Sequence, residues 1–167
     1  MATATGARLA QEIKKQMGEL QKVCEGVDED IAVRNPVGRW SPKEILSHLL
    51  GPDKSGHLPM LQAFIDQDEP TVHMEVENPF FTEKRARMTF RQLLSKVAAE
   101  YDRLAEFAAG LSPDVLDRQA RVPMLKGTPL GEFPTLESMI GMLCGMEGSH
   151  IQFHTGHMRE ILRELNA

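Results

Sequence analysis

Three of the six histidines of the chain fall close together near its C-terminus, in the segment EGSHIQFHTGHMREIL at residues 147–162. His150, His154 and His157 follow one another at intervals of four and three residues. On an α-helix, residues four and seven positions apart point within about 40° of one another, so the three rings would form one ridge. Two imidazoles separated by one helical turn can bind the same divalent metal ion, as in the HExxH zinc motif. The spacing indicates a metal site, although a histidine pair of this kind also occurs as a surface or hydrogen-bonded couple.

The face on which these histidines lie favours the metal site. Ile140, Leu143 and Met146 precede them on nearly the same stripe, and Ile161 follows, so a continuous helix would direct the rings into the core. A buried imidazole is costly unless both of its nitrogens find partners. A metal ion would satisfy one nitrogen, and a hydrogen-bond acceptor would satisfy the other.

Another histidine lies on the apolar face of a second predicted helix, in the segment WSPKEILSHLL at residues 40–50. Ser41 is placed to cap this helix, Pro42 suits its first position, and Glu44 completes a capping box. The register that follows puts His48 among apolar residues. Two helices that both direct histidine inward can build a metal site between them. Three neutral imidazoles with an open coordination position are typical of a catalytic site.

The remaining groups are weaker candidates. His57 and His73 fall in predicted loops, where we expect them to be solvated. His157 could be a fourth ligand, a substrate contact or a group that moves a proton. Glu147 lies one predicted turn before His150 and could orient that ring or move a proton, the alternative being a solvated glutamate on the helix face.

The elements that must position these side chains are helices. Hydrophobic residues make up 41% of the chain but aromatic residues only 5%, and a core of Leu, Met, Ile, Val and Ala suits helices. Apolar periodicity predicts helices at about 6–24, 41–50, 82–109 and 135–165, with an interruption at 51–59 and a short helix after Ser112. The length of 167 residues favours a single domain over residues 1–167. The predicted fold is therefore an all-α four-helix bundle with long loops between the helices.

Charge and cysteine content limit the partners and the compartment. The net charge of -5 gives no electrostatic footprint for nucleic acid or for an anionic membrane. No apolar stretch approaches the roughly 20 residues that a membrane span needs, and the N-terminus lacks the apolar core of a signal peptide. Cys24 and Cys144 lie far apart and are predicted to be reduced and buried. We expect a cytoplasmic protein that acts on a small molecule, without nucleic acid or membrane partners.

Two segments together resemble a known family. RWSPKEILSHLL, at 39–50, is similar to the second-helix signature of the DinB/YfiT-like superfamily. SHIQFHTGHMREIL, at 149–162, is similar to the last-helix signature of that family, although His157 stands where members often carry Gln. The resemblance implies a bundle in up-down-down-up order and, in many members, a homodimer.

The same resemblance implies a metal centre and an activity. It implies that His48, His150 and His154 bind a divalent metal, with nickel or zinc most expected. It also implies a thiol-dependent S-transferase or isomerase that uses a low-molecular-weight thiol such as mycothiol, bacillithiol or glutathione. A metal-dependent hydrolase, a non-catalytic metal-binding bundle and a metal-free bundle remain open alternatives, because the sequence identifies neither the metal nor the substrate.

Overall fold

A computed structural model describes residues 4–166, and its regular structure is helical apart from two isolated β-bridges. The helices are α1 (Ala4–Val23), α2 (Glu29–Ala32), α3 (Pro42–Leu50), α4 (Leu58–Asp66), α5 (Glu83–Ala86), α6 (Phe90–Ala109), α7 (Pro113–Leu116), α8 (Leu136–Ile140) and α9 (His150–Leu165). A 3₁₀ turn at Pro123–Leu125 and a π turn at Gly141–Gly145 complete the described elements.

Four of these helices form the bundle. Helix α1 packs against α6 and α9, and α3 packs against the same two helices, so α1 and α3 lie on a diagonal. The faces that meet are the apolar stripes read from the sequence, because the core contains Leu9 and Ile13 of α1 and Ile45 and Leu49 of α3. The predicted fold class, an all-α four-helix bundle with long connecting loops, is confirmed.

The predicted helix at 82–109 is wrong in one respect, because the structure breaks it into α5 and α6. Thr89 ends the extended link and caps α6, with its side chain accepting a hydrogen bond from the Gln92 amide at 3.1 Å. Threonine is a favoured N-cap residue, so a new helix starts after Thr89, where apolar periodicity predicted a continuous helix.

The predicted helix at 135–165 is also wrong, because it is interrupted between Gly141 and Ser149. Gly148 adopts a φ of 77°, a left-handed conformation that ends helices. A side chain at Gly145 would meet Leu9 of α1 at 2.8 Å, so the missing Cβ allows α1 to approach the turn closely. Met146, expected on the buried stripe, is instead exposed.

Two further expectations concern the whole chain. Cys24 and Cys144 are free thiols in the core, as predicted. Burial raises the pKa of both thiols, that of Cys24 to about 12. Within residues 4–166, none of the helices has the length and apolar character to cross a bilayer.

Candidate metal centre

Helix α3 presents His48 to the interior of the bundle. Its start is fixed by the predicted capping box, in which the Glu44 amide donates to Ser41 Oγ at 3.2 Å and the Ser41 amide donates to Glu44 Oε2 at 2.7 Å. His48 is only 3% exposed. Its Nδ1 lies 2.7 Å from the carbonyl oxygen of Asn78, so Nδ1 carries the proton and donates it. Nε2 of His48 is thereby left with a free lone pair.

Helix α9 presents the other two histidines, His150 and His154, and a cap at Ser149 fixes where this helix begins. Ser149 is fully buried and caps the helix, accepting a hydrogen bond from the Gln152 amide at 3.4 Å. Ser149 Oγ also bonds to the Gln16 side chain, which ties the start of α9 to α1. His150 is therefore the first residue of the helix, and His154 follows one turn later.

The three rings meet between the two helices. The ring centroids of His48, His150 and His154 lie 4.6 to 4.8 Å apart in each pair. One nitrogen from each ring lies within 4.8 Å of the others, and the Nε2 atoms of His48 and His150 are 2.8 Å apart. Two nitrogens that bind one tetrahedral zinc ion, each at about 2.1 Å, would lie roughly 3.4 Å apart. The nitrogens of the three rings are therefore close to the separation that a shared metal ion requires.

The ionisation state of these three rings suits the binding of a cation. Burial, the largest cause, and the neighbouring imidazoles lower the pKa of His150 and of His154 to about 3. Burial also lowers the pKa of His48, against the opposing effect of the Asn78 carbonyl. All three rings are therefore neutral at pH 7, which is the form that binds metals. In residues 4–166, the buried Nδ1 atoms of His150 and His154 have no hydrogen-bond partner. Because unpaired buried polar atoms are costly, a ligand bound by these rings would stabilise the site.

His157 and Glu147, the two tentative catalytic residues, lie outside this cluster. The ring of His157 is half-buried, with its centroid 5.9 Å from that of His154. Glu147 is exposed in the break before α9, so the one-turn spacing from His150 that a continuous helix would give does not exist. Proton transfer by either residue stays a prediction.

Aromatic rings enclose the cluster on two sides. Trp40 lies 4.8 Å from the ring of His48 and stacks on His154 at 6.2 Å, with an interplanar angle of 15°. Phe80 stacks on His48 at 6.3 Å. Neither Trp40 nor Phe80 was predicted to be part of the site. The Trp immediately before the capped helix was the available signal for the first, and the second depends on a loop.

His57 corrects one expectation of the sequence. It was predicted to be solvated, but its Nε2 donates to the carbonyl oxygen of Leu49 at 2.9 Å, and burial lowers the pKa of the ring. The backbone amide of His57 donates to Glu100 at 3.1 Å. His57 thus holds the segment after α3 against the bundle. His73 is exposed, as expected.

Arg85 was not predicted to support the site either. The guanidinium is 3% exposed and donates to the backbone oxygens of Ser47, Gly51 and Phe80 at 3.0, 2.5 and 3.2 Å. These bonds connect the end of α3 to the loop that contains Asn78 and Phe80. Arg85 therefore supports the helix and the loop that hold His48.

A cavity of about 520 Å³ opens beside the cluster, with His48 and His150 in its wall. The lining contains four methionines and four histidines, together with aliphatic and aromatic side chains. The four methionines are Met60, Met74, Met124 and Met142. A cavity of this size accommodates a drug-sized molecule, and its position lets a ligand reach the imidazoles.

No protein-family model matches the chain, and no curated protein matches it. Among solved structures, YfiT from Bacillus subtilis superposes with a TM-score of 0.77, over 99% of this chain and 90% of that one, at 15% sequence identity. This chain has the YfiT fold. YfiT is described as "a probable metal-dependent hydrolase with an unusual four-helix bundle topology". The resemblance drawn from two sequence segments is confirmed for the fold.

Proposed function

We propose that this protein is a divalent-metal-dependent enzyme whose centre is formed by His48, His150 and His154, and that it catalyses hydrolysis. The observation that carries the proposal is the convergence of three neutral imidazoles, two of which, His48 and His150, line a cavity. Three protein ligands leave a coordination position open, which distinguishes catalytic from structural sites. The description of YfiT, which has the same fold, supports the same class of reaction.

The residues of the chain would have distinct roles in this reaction. His48, His150 and His154 would hold the cation, and the Asn78 carbonyl would keep His48 in the tautomer with a free Nε2. When bound, a divalent cation supplies Lewis-acid charge stabilisation and makes a nucleophile available at neutral pH. Trp40 and Phe80 would limit the access of bulk water to the rings. His157 and Glu147 are the proposed proton-transfer groups.

A thiol-dependent S-transferase or isomerase is the second candidate, since a divalent cation also activates thiols. One observation argues against glutathione and bacillithiol. The cavity lining includes the carboxylate of Glu75 but neither Lys nor Arg among the residues that the structure describes. Glutathione and bacillithiol carry carboxylates, which such a lining would repel, whereas mycothiol carries none. We therefore place hydrolysis first.

The first experiment measures metal binding. Protein purified without a histidine tag would be analysed for metal content and titrated with zinc and with nickel by calorimetry. We expect one ion per chain, and a loss of affinity of at least tenfold in His48→Ala, His150→Ala and His154→Ala. His73→Ala is the matched control, because His73 is exposed and outside the cluster. Uptake of less than about 0.1 ion per chain by the unmodified protein, one tenth of a full site, would refute the metal centre.

The second experiment separates the two reactions. Chromogenic esters and phosphoesters would be tested with and without chelator, and a haloarene would be tested with glutathione, bacillithiol and mycothiol. Hydrolysis that disappears with chelator and in His150→Ala supports the first candidate. Thiol conjugation with the same dependence, in the absence of hydrolysis, would replace it with the second. Loss of rate in His157→Gln or Glu147→Gln, with metal content unchanged, would support proton transfer by that residue.

The cytoplasmic location and a homodimer also remain predictions.

A further inference from the structure

The lining of the cavity is apolar over most of its surface. Met60, Met142 and Leu143 line the same cavity as His48 and His150. Methionine side chains are flexible and polarizable, so they adapt to apolar groups of different shape. A sugar-like ligand with many hydroxyl groups would lose more hydration in such a cavity than the few polar side chains of its lining could replace.

The rim of the cavity carries exposed hydrophobic side chains. Val76 is 56% exposed, Phe153 is 68% exposed and Met124 is 37% exposed, and all three line the same cavity. Large apolar side chains grouped at one opening are a sign of ligand contact, whereas single exposed ones are normal. The apolar path therefore continues outward from the imidazoles to solvent.

The charges of the lining restrict the ligand further. Glu75 supplies a carboxylate, which accepts a hydrogen bond from the Asn78 side chain at 2.5 Å. Among the described residues of the lining there is no Lys or Arg that could pair with a second anionic group of a ligand. The cavity thus selects against an acidic tail, and the polar part of the ligand belongs at the imidazoles.

We propose that the substrate carries an alkyl or aryl chain, without acidic groups, attached to the polar group that reaches His48 and His150. A neutral ester or amide of an apolar acid is the substrate class that fits this description. This inference rests on the proposed function, because it assigns a substrate class to the same centre.

The test uses a series of linear alkyl hydroxamic acids, from acetyl to decanoyl, because hydroxamates bind metal ions through a constant head group. Calorimetry on the zinc-loaded protein would give the affinity of each compound. We expect the affinity to rise about fourfold per methylene, which corresponds to about 0.8 kcal/mol, until the chain extends beyond the rim. An octanoyl hydroxamate should bind more tightly than its analogue with a terminal carboxylate.

Three single substitutions assign the increase to the cavity. Met124→Gln and Met142→Gln keep the size of the side chain but make it polar, and we expect each to weaken octanoyl hydroxamate roughly tenfold. Met146→Gln is the matched control, since Met146 is exposed but does not line the cavity. Acetohydroxamate should bind all four proteins equally, and circular dichroism would verify that each variant is folded.

The outcomes separate this inference from the proposed function. Zinc and acetohydroxamate binding with no gain along the series, or tighter binding of the carboxylate analogue, would overturn the apolar substrate class alone. A chain-length gain that survives in both cavity variants would also overturn it. A protein that binds no zinc would overturn the proposed function, and this inference with it.

Discussion

The strongest test of the architecture around His48 is the removal of the Arg85 guanidinium. Arg85→Met keeps an unbranched apolar stem in the same space and removes the charged donors. The loop that contains Phe80 and the end of α3 would lose the side chain that joins them. We expect the variant to fold, with a large loss of stability and a smaller loss of metal affinity.

The expected magnitude follows from the hydrogen bonds of Nη1. Its two protons are shared among the oxygens of Ser47, Gly51 and Phe80, and hydrogen bonds from a charged donor contribute about 1.5–3 kcal/mol each. The gross loss is then about 3–6 kcal/mol. Burial of the guanidinium offsets part of this gain, since burial lowers the pKa of Arg85, and Asp53 at 3.9 Å compensates only in part. We therefore expect a net loss of about 2–4 kcal/mol.

The assay is urea unfolding of the metal-free protein, followed by circular dichroism. Arg87→Met is the matched control, because Arg87 is two residues away and its side chain is 76% exposed. We expect the control to change the free energy of unfolding by less than about 0.5 kcal/mol. Zinc affinity, measured by competition with a chelating dye, should fall in Arg85→Met but not in the control. Equal stabilities of the two variants would refute the reasoning that the buried guanidinium holds α3 to the loop.

Three further predictions test the caps, a turn and the thiols. Ser149→Ala and Thr89→Ala should each lower the free energy of unfolding by about 1 kcal/mol. Only Ser149→Ala should also weaken zinc binding, which calorimetry would detect. Equal zinc affinities of the two variants would contradict our account of the α9 cap. Gly127→Ala places a side chain in a left-handed turn with free space and should cost about 1–2 kcal/mol. Gly56→Ala should cost at least about 1 kcal/mol more in urea unfolding, because its Cβ would overlap the Glu100 carboxylate; equal losses would refute that contact. Since burial raises the pKa of both thiols, Ellman's reagent at pH 8 should label neither in the native protein and both after unfolding, and fast native labelling would contradict their burial.

Local signals in the sequence were sufficient for the helix that holds His48. The capping box of Ser41 and Glu44 fixes where α3 begins, and a helix with a fixed start fixes the direction of each side chain. The four-residue spacing of His150 and His154 likewise survives the break before α9, because both residues lie within the new helix. The pairing of these two helices in a bundle followed from their apolar stripes.

The break before α9 had a local signal that the apolar periodicity concealed. Ser149 and Gln152 have the spacing of a capping sequence, and Gly148 precedes them. The break is nevertheless stabilised by distant contacts, since Gln16 of α1 donates to the carbonyl oxygen of Met146 at 2.6 Å. A pattern of period 3.6 continues across such an interruption, so periodicity alone predicts one long helix.

The sequence by itself determined helix α3, the bundle and the three histidines that point inward, because caps and apolar stripes act over a few neighbouring residues. The tertiary structure alone decided the partner of His48 at Asn78, the burial of Arg85 and the shape of the cavity. These features join segments tens of residues apart through loops whose course has no periodic signal. Their positions depend on how the packed helices leave space and unpaired backbone oxygens, and that is settled only when the whole bundle forms.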